Sequence, residues 1–311
     1  MSKKLISIVT GCFNEEDNVE ALHVQIAEAM AELPAYNYEH IYIDNASTDR
    51  TIPLLRKIAA EDKHVKVILN SRNFGHIRSP YYGLLQAKGD AVVSMASDLQ
   101  DPPSMIKEFV KKWEEGYKVV MGVKTSSQES KLVYGLRTMY YKFLAKLSDV
   151  QLVENFTGFG CYDQQVVEIL RQMNDPYPYF RGLIADIGFP AAKIEFNQPR
   201  RKRGITKNNF YTLFDMAMLG FTNNTKIPLR LATIFGFFTA AVSMLIGLFY
   251  LVYKLVNWQN FQLGSAPIVI GLFFFGAIQL FFLGIVGEYI GAIYTQVLHR
   301  PLVIEKERIN F

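Results

Sequence analysis

The sequence predicts an α/β domain with a mostly parallel sheet, followed by a pair of membrane-spanning helices. Strand-like and helix-like patterns alternate along the first hundred residues, which is typical of parallel strands covered by helices on both faces. Polar clusters directly follow several of these strands, at the edge where such sheets bind ligands. Two long stretches after Pro228 are apolar and contain no charged residue.

Short apolar runs and amphipathic periodicity define the individual elements. Strands are predicted at residues 5–9, 41–43, 65–69, 91–95 and 118–122. Helices are predicted at residues 18–33, 51–62, 80–88 and 104–115. Two further amphipathic helices are predicted at residues 131–147 and 210–221. The second of these directly precedes the first apolar stretch, so we expect it to lie at a membrane interface.

Residues 232–252 and 267–286 have the length and composition of transmembrane helices, which need about 20 mainly apolar residues. Residues 257–265 between them contain no Lys or Arg, and Lys254 is the only cation close to this connection. Basic residues instead lie on the outer sides of the pair, at Arg200, Arg201, Lys202, Arg203, Lys207, Lys226, Arg230, Arg300, Lys306 and Arg308. The positive-inside rule therefore predicts a multi-pass protein of the inner membrane with both termini in the cytoplasm. Two buried core helices are the alternative, but they would have little to pack against.

These features divide the chain into four parts. Residues 1–205 form the predicted cytoplasmic catalytic domain, and residues 206–228 form a juxtamembrane interfacial helix. Residues 229–294 hold the two spans, and residues 295–311 form a cytoplasmic tail. The 33 basic and 29 acidic residues nearly balance, which gives no indication of nucleic-acid binding. Cys12 and Cys161 have no metal or redox spacing, so a reducing compartment is expected.

The most informative motif follows the strand predicted at residues 91–95 and reads Asp98-Leu99-Gln100-Asp101-Pro102-Pro103. Carboxylate and amide oxygens suit Mg²⁺ or Mn²⁺, which usually keep substrate phosphates among their ligands. Alternate positions of an extended segment project to the same side, so Asp98 and Gln100 are expected to bind one ion. The alternative is a loop in which Asp98 caps the following helix.

Three more motifs precede this one, each after a predicted strand. They read Phe13-Asn14-Glu15-Glu16, Asp44-Asn45-Ala46-Ser47-Thr48-Asp49 and Ser71-Arg72-Asn73-Phe74-Gly75. In order and spacing the four motifs resemble those of the polyprenyl-phosphate glycosyltransferases, bacterial relatives of dolichol-phosphate mannose synthase within glycosyltransferase family 2. The resemblance continues through the basic segment 201–207 to Gly287-Glu288-Tyr289-Ile290-Gly291, and so covers nearly the whole chain.

The resemblance implies a GT-A (Rossmann-like) catalytic domain, a nucleotide-sugar donor, a polyprenyl phosphate acceptor, and Mg²⁺ or Mn²⁺. It also implies a homo-oligomer. The residues that it assigns to the nucleotide sugar are Asn14, Glu15, Asp44, Arg72 and His76. Taken alone, Asn14, Glu15 and Asp44 are more typical of turn or cap residues, and Arg72 is equally compatible with holding its loop. The residues assigned to the lipid phosphate are Arg201, Lys207 and, more weakly, Lys124. A basic cluster that only enforces topology is the alternative for this group.

The chain departs from many relatives at two positions. They carry an additional acid where this chain has Ala96, and an Asp where it has Gly158. A phosphomonoester has a second pKa near 6, so the acceptor needs alignment more than deprotonation. Asp101 is the remaining acid/base or sugar-binding candidate, whereas Asp163 is compatible with a helix N-cap.

The function that the motifs and the resemblance together imply is inverting, metal-dependent transfer of a sugar to polyprenyl phosphate, for modification of a cell-surface glycan. UDP-glucose is the preferred donor among several that relatives use. A processive synthase is disfavoured because the sequence has no Gln-x-x-Arg-Trp motif. Two alternatives stay open at this point: transfer of a phospho-sugar or nucleotidyl group to the lipid, and a catalytically silent scaffold or lipid-binding partner.

Overall fold

The computed structural model describes residues 3–125, 155–199, 225–256 and 265–311, together with Val153, Met218 and Thr222. Its strands are β1 (Leu5–Cys12), β2 (Asn37–Asp44), β3 (Val65–Asn70), β4 (Ala91–Ala96), β5 (Val119–Lys124), β6 (Phe156–Asp163), β7 (Ala191–Phe196) and β8 (Glu305–Ile309). Its helices are α1 (Val19–Ala31), α2 (Thr51–Glu61), α3 (Gly75–Gln86), α4 (Ile106–Glu114), α5 (Gln164–Met173), α6 (Phe180–Ile187), α7 (Ile227–Val256) and α8 (Ser265–Val297).

The eight strands form one sheet in the order β7-β5-β6-β4-β1-β2-β3-β8. The pairs β4–β1, β1–β2, β2–β3 and β5–β7 are parallel, which confirms the predicted mostly parallel sheet. Strand β6 runs antiparallel to both β4 and β5, and β8 runs antiparallel to β3. The carboxyl ends of β1, β2, β3 and β4 consequently meet at one edge, where the polar motifs lie.

Helices cover both faces of the sheet, because its central strands are apolar on both sides. Leu22 of α1, Leu55 of α2 and Phe109 of α4 pack into a core on one face. Tyr81 of α3 and Leu170 of α5 pack into a second core on the opposite face. Both faces of the sheet are therefore covered, and the polar loops lie at its carboxyl edge.

Helix α3 begins at Gly75, five residues before the predicted start at residue 80. The prediction placed Pro80 at the first turn, where proline is most favourable. In the structure Pro80 instead lies inside the helix and contacts the backbone near Gly11 of β1. The earlier start brings His76 and Ile77 to the site described below.

Helices α7 and α8 contain both predicted spans and extend beyond them at each end. No residue in the most apolar part of either helix is buried, so neither is a core helix of this domain. The two helices are therefore long and apolar enough to cross a membrane. The amphipathic helix predicted at residues 131–147 lies outside the described residues. The one predicted at residues 210–221 does too, apart from Met218.

The segment predicted as a C-terminal tail returns to the catalytic domain and forms β8 at the edge of the sheet. Ile309 pairs with Val67 of β3, and the Ser71 N–H donates to the Ile304 carbonyl oxygen at 2.9 Å. Arg56 and Glu307 form a two-pronged ion pair across the chain. The alternating charges of Glu305-Lys306-Glu307-Arg308 obscured this strand in the sequence, although charged residues are common on edge strands.

Candidate functional site

A cavity of about 380 Å³ opens at the carboxyl ends of β4 and β5, where β6 begins. Its polar lining includes His76, Asp98, Gln100, Asp101, Lys124, Arg181 and Gln198. Aromatic side chains, among them Tyr81, Tyr179 and Phe180, form much of the remaining wall. The cavity therefore combines carboxylates, cations and an apolar surface of a size suited to a small polar ligand.

Asp98 and Gln100 both line the cavity, but not in the way that the sequence predicted. They lie on a turn in which Leu99 has a φ of 60°, so the segment is not extended. The Asp98 carboxylate accepts a hydrogen bond from the Gln100 N–H at 3.2 Å, which tightens this turn. Neither following helical segment has a side-chain cap, so Asp98 does not act as the helix cap considered above.

The donor set at this turn suits a hard divalent cation that takes most of its ligands from a substrate. The Gln100 amide nitrogen donates to the Pro199 carbonyl at 3.4 Å, which leaves the amide oxygen as an acceptor. Among the described residues no group of three or more His, Cys, Asp and Glu could hold a metal ion. A carboxylate and an amide oxygen are compatible with Mg²⁺ or Mn²⁺ held together with phosphate oxygens.

Asp101 is the buried acid of the site, with 6% of its surface exposed. Its carboxylate accepts a hydrogen bond from the Ala96 N–H at 2.9 Å. Burial raises the pKa of Asp101 to about 6, and the Asp98 charge adds to this rise. The backbone hydrogen bond and the positive charge of Lys124 oppose it. A carboxyl group that titrates near neutrality can exchange a proton with a ligand, which fits the predicted acid/base role.

Asn14, Glu15 and Asp44 lie together, but outside the cavity lining. The Asn14 side-chain oxygen accepts from the Thr48 N–H at 2.7 Å, and Asn14 itself has a φ of 55°. Glu15 is buried and accepts from the Asn18 amide. These bonds join the loop after β1 to the loop after β2. Contact of these residues with a nucleotide stays a prediction.

Asp44 is fully buried at the end of β2. Its carboxylate accepts hydrogen bonds from both the backbone N–H and the hydroxyl of Ser47. Burial raises the pKa of Asp44, and the Ser47 hydrogen bonds only partly offset that effect. Asp44 therefore shapes the loop after β2, which agrees with the turn-residue alternative at this position.

Arg72 and His76 flank Phe74 in the loop after β3. Arg72 is exposed and lies 4.0 Å from the centre of the Phe74 ring, while its guanidinium donates to the Asn73 carbonyl. The Asn73 side-chain oxygen accepts from Asn45 and from the Gly75 N–H, which ties this loop to the one after β2. His76 alone of the pair lines the cavity.

Of the three residues predicted to bind lipid phosphate, Lys124 lines the cavity at the end of β5. Arg201 and Lys207 lie outside the described residues. Asp163 is the N-cap of α5, because its carboxylate accepts from the Gln165 N–H at 3.0 Å. This confirms the structural alternative for that residue.

Two features of the cavity escaped the sequence prediction. Gly158 has a φ of 100°, and a Cβ at this position would lie 3.2 Å from the Phe180 ring. Arg181 enters the cavity from the second position of α6. The sequence signal for it is slight: a cation directly after the aromatic run Tyr177-Pro178-Tyr179-Phe180.

Comparisons with known proteins identify a family and several relatives for this chain. The family model for glycosyl transferase family 2 matches residues 7–170, and a model of the GtrB C-terminal hairpin matches residues 227–293. A bactoprenol glucosyl transferase of Shigella phage SfV is 32% identical over 97% of this chain and 98% of its own length. The putative glycosyltransferase CsbB of Bacillus subtilis is 34% identical over 99% of this chain and 93% of its own length.

Similar solved structures cover about 70% of this chain. Glucosyl-3-phosphoglycerate synthase of Mycobacterium tuberculosis, in complex with Mn²⁺, uridine diphosphate and phosphoglyceric acid, aligns over 70% of this chain and 76% of its own. The TM-score is 0.48 at 19% identity. TarS of S. aureus, in complex with UDP-GlcNAc, aligns over 71% of this chain and 67% of its own, with a TM-score of 0.44 at 14% identity.

Proposed function

The chain belongs to glycosyl transferase family 2 and has a GT-A catalytic domain, and from this premise we propose that it glycosylates a membrane lipid phosphate. The donor is a nucleotide sugar, with UDP-glucose preferred, and the acceptor is polyprenyl phosphate. Relatives named bactoprenol glucosyl transferases, similar over almost the entire chain, support this acceptor. The observation that carries the proposal is one cavity that joins Asp98, Gln100, Asp101 and Lys124 in a protein with two candidate membrane spans.

The proposed reaction is a single displacement at the anomeric carbon. An oxygen of the acceptor phosphate forms a bond to this carbon as the bond to the donor diphosphate breaks, and the electron pair leaves with the nucleoside diphosphate. One displacement inverts the anomeric configuration. Because a phosphomonoester is mostly ionised at neutral pH, the nucleophile needs orientation more than a strong base.

We assign the residues of the cavity to this reaction by their chemistry. Asp98 and Gln100 would hold Mg²⁺ or Mn²⁺, which when bound would supply positive charge near the departing diphosphate. Asp101, whose pKa lies near 6, would accept or donate a proton at the sugar or acceptor oxygen. Lys124 would attract the acceptor phosphate. Asn14, Glu15, Asp44 and Arg72 would shape the neighbouring nucleotide pocket.

We further propose a hairpin orientation in which the catalytic domain and both termini face the cytoplasm. Pairing of β8 with β3 supports this orientation, because a strand after the second span and a strand before the first must lie on the same side of the membrane. The cations on that side, with none in residues 257–265, match the positive-inside rule. Assembly into a homo-oligomer stays a prediction.

The decisive experiment is a transfer assay with the full chain in nanodiscs. It would contain undecaprenyl phosphate, Mg²⁺ or Mn²⁺ and a panel of nucleotide sugars, with mass spectrometry of the lipid product. A product that carries one sugar and one phosphate supports the proposal and identifies the donor. A product with two phosphates would instead indicate phospho-sugar transfer. No product with any donor, from folded protein, would favour the silent scaffold.

Arg201 and Lys207 are tested in the same assay. If they bind the lipid phosphate, R201Q and K207Q should each raise the acceptor KM while the donor KM stays constant. If they only enforce topology, turnover of correctly inserted protein should not change. Accessibility labelling of the termini would separate the two outcomes.

A further inference from the structure

The order of strands divides the cavity and its surroundings into two halves. The loops after β1, β2 and β3, on one side of β4, carry the residues proposed for the nucleotide and form the donor half. Strands β6 and β5, on the other side of β4, carry Gly158 and Lys124 and form the acceptor half together with the start of α6. Asp98, after β4, lies at the boundary between the halves.

Arg181 belongs to the acceptor half and is held there by two contacts. Its guanidinium donates to the carbonyl of Phe156, the first residue of β6, at 3.2 Å. The same group lies 5.5 Å from the centre of the Tyr179 ring. Both contacts fix the direction of a long side chain and reduce the entropy lost when it binds a ligand.

The segment that carries Arg181 is also tied to the membrane helices. The Gln296 amide, in the last turn of α8, donates to the Asp175 carboxylate at 2.9 Å. Asp175 lies five residues before α6 begins, and the intervening Pro178 and Tyr179 line the cavity. The acceptor half therefore lies next to the C-terminal end of α8, the second candidate span, where the headgroup of a membrane lipid would be located.

We propose that Arg181 binds the phosphate of the polyprenyl phosphate acceptor, together with Lys124 at the end of β5. A guanidinium offers two parallel N–H donors to a phosphate, which an ammonium group cannot do. Two cations on the acceptor half would balance the charge of a phosphomonoester next to Asp98 and Asp101. The identity of the lipid rests on the proposed function, whereas the anion site rests on the cavity alone.

The test compares the full chain with R181Q and R181K, and with R56Q as a matched control. Arg56 is a cation on the far edge of the sheet, in an ion pair with Glu307. With saturating donor, R181Q should raise the acceptor KM roughly 10- to 100-fold, the loss expected for one charge-assisted contact. The donor KM should stay constant, R181K should be intermediate, and R56Q should match the wild type.

A direct binding measurement makes the result independent of turnover. The probes are polyprenyl phosphate and the corresponding polyprenyl alcohol in detergent, with inorganic phosphate as competitor. R181Q should weaken binding of the phosphate lipid and leave binding of the alcohol unchanged. If inorganic phosphate competes for the site, and the protein shows no preference for a phosphate that carries a lipid, Arg181 belongs to a general phosphate site. Equal binding by R181Q and wild type, or no binding by the wild type, would overturn the proposal.

The two proposals fail in different ways. Wild-type transfer with an unchanged acceptor KM in R181Q would refute the role of Arg181 and leave the glycosyltransferase function intact. Weaker lipid binding by R181Q, in a protein that transfers no sugar, would refute the function and retain the anion site. Melting temperatures test whether R181Q acts only through the lost Phe156 contact. If the melting temperature falls in R181Q but not in R181K, and R181K binds the lipid as well as the wild type does, the change in binding is attributed to that contact. This result would likewise overturn the proposal.

Discussion

Asp101 accepts a hydrogen bond from the backbone N–H of Ala96, so a buried carboxylate closes the turn that presents Asp98 and Gln100. Ala96 is the position at which the resemblance to polyprenyl-phosphate glycosyltransferases leads us to expect a further acid. In this chain that position contributes a backbone donor, and the carboxylate that it contacts comes from five residues later. The turn between β4 and the following helix thus depends on a group that titrates near neutral pH.

D101N should alter the pH dependence of stability. Folding raises the pKa of Asp101 from 3.8 to about 6. In the pH window between these two values, the folded state keeps a proton that the unfolded state has lost. Wild-type stability should therefore fall as pH rises through it, by about 1–3 kcal/mol. The neutral amide of D101N avoids this loss. Melting curves at pH 4.5 and 7.5 should show that the stability of D101N relative to the wild type is greater at pH 7.5.

Asp163 provides a control of opposite sign for this experiment. Burial opposes its ionisation, but hydrogen bonds from Trp113 and Gln165 outweigh burial and lower the pKa of Asp163. Its contribution to stability is present above the unfolded pKa and is lost as pH falls. D163N should therefore lose stability relative to wild type at pH 7.5. The same pH response in D101N and D163N would contradict the assignment of the raised pKa.

D98N and Q100E should change metal dependence in opposite directions. Removal of the Asp98 carboxylate, the negatively charged ligand proposed for the metal ion, should lower turnover about 100-fold or more, in the range found when a charge-stabilising group is removed. Q100E adds a carboxylate and should lower the Mn²⁺ concentration needed for half-maximal rate. Initial rates across a Mn²⁺ titration measure both effects. Full turnover by D98N would refute the metal assignment.

G158A should be less stable than wild type and less stable than the matched variant G116A. Gly158 and Gly116 both have a φ of 100°, which costs other residues about 1–3 kcal/mol. Only at Gly158 would the new Cβ lie within 3.2 Å of another side chain, that of Phe180. Thermal unfolding of the two variants separates backbone strain from this contact. Equal melting temperatures would show that Phe180 moves aside freely.

The same geometry predicts the outcome of restoring an acid at this position. G158D should lower the transfer rate, because the larger side chain displaces Phe180 at the cavity wall. A higher rate in G158D would instead show that the absence of an acid at this position limits catalysis. Acceptor and donor KM values, measured together with the melting temperature, distinguish the two cases.

N310A should weaken the attachment of the C-terminal strand. The Asn310 amide donates to the carbonyls of Ala59 and Val65, at 2.6 and 2.8 Å. Loss of these bonds should cost about 1–3 kcal/mol. N310G, which tolerates the φ of 62° at this position, should show the same loss without added strain. K306A, at an exposed position of β8, is the control and should unfold like the wild type. Retained stability in N310G would contradict the prediction.

Most elements could be predicted because their signals are local. The strands from β1 to β5 and the helices between them follow from apolar runs and helical periodicity, with ends shifted by a few residues. The start of α3 was wrong because Pro80 is tolerated inside the helix, against the usual preference. β8 was missed because its charged side chains resemble a solvated tail until β3 supplies a partner.

The candidate site was predictable in part, for a similar reason. Polar motifs after parallel strands converge on one edge, so Asp98, Gln100 and Asp101 could be expected together. Lys124 lies at the end of β5 and His76 near the start of α3. Both elements reach the same cavity, so both residues line it with the other three. Arg181 follows an antiparallel strand and a helix whose placement no local pattern indicates. Its role as a cavity residue required the completed sheet.

By itself, the sequence determined the α/β alternation, the two candidate membrane spans and the polar motif that we propose binds a metal ion, because each is encoded in the periodicity or composition of neighbouring residues. The tertiary structure decided which groups act together. It joined Arg56 to Glu307 across 251 residues, buried Asp101 enough to raise its pKa, and placed Arg181 in the same cavity as the carboxylates. Such contacts depend on desolvation and distance in the folded chain, which no single segment of sequence specifies.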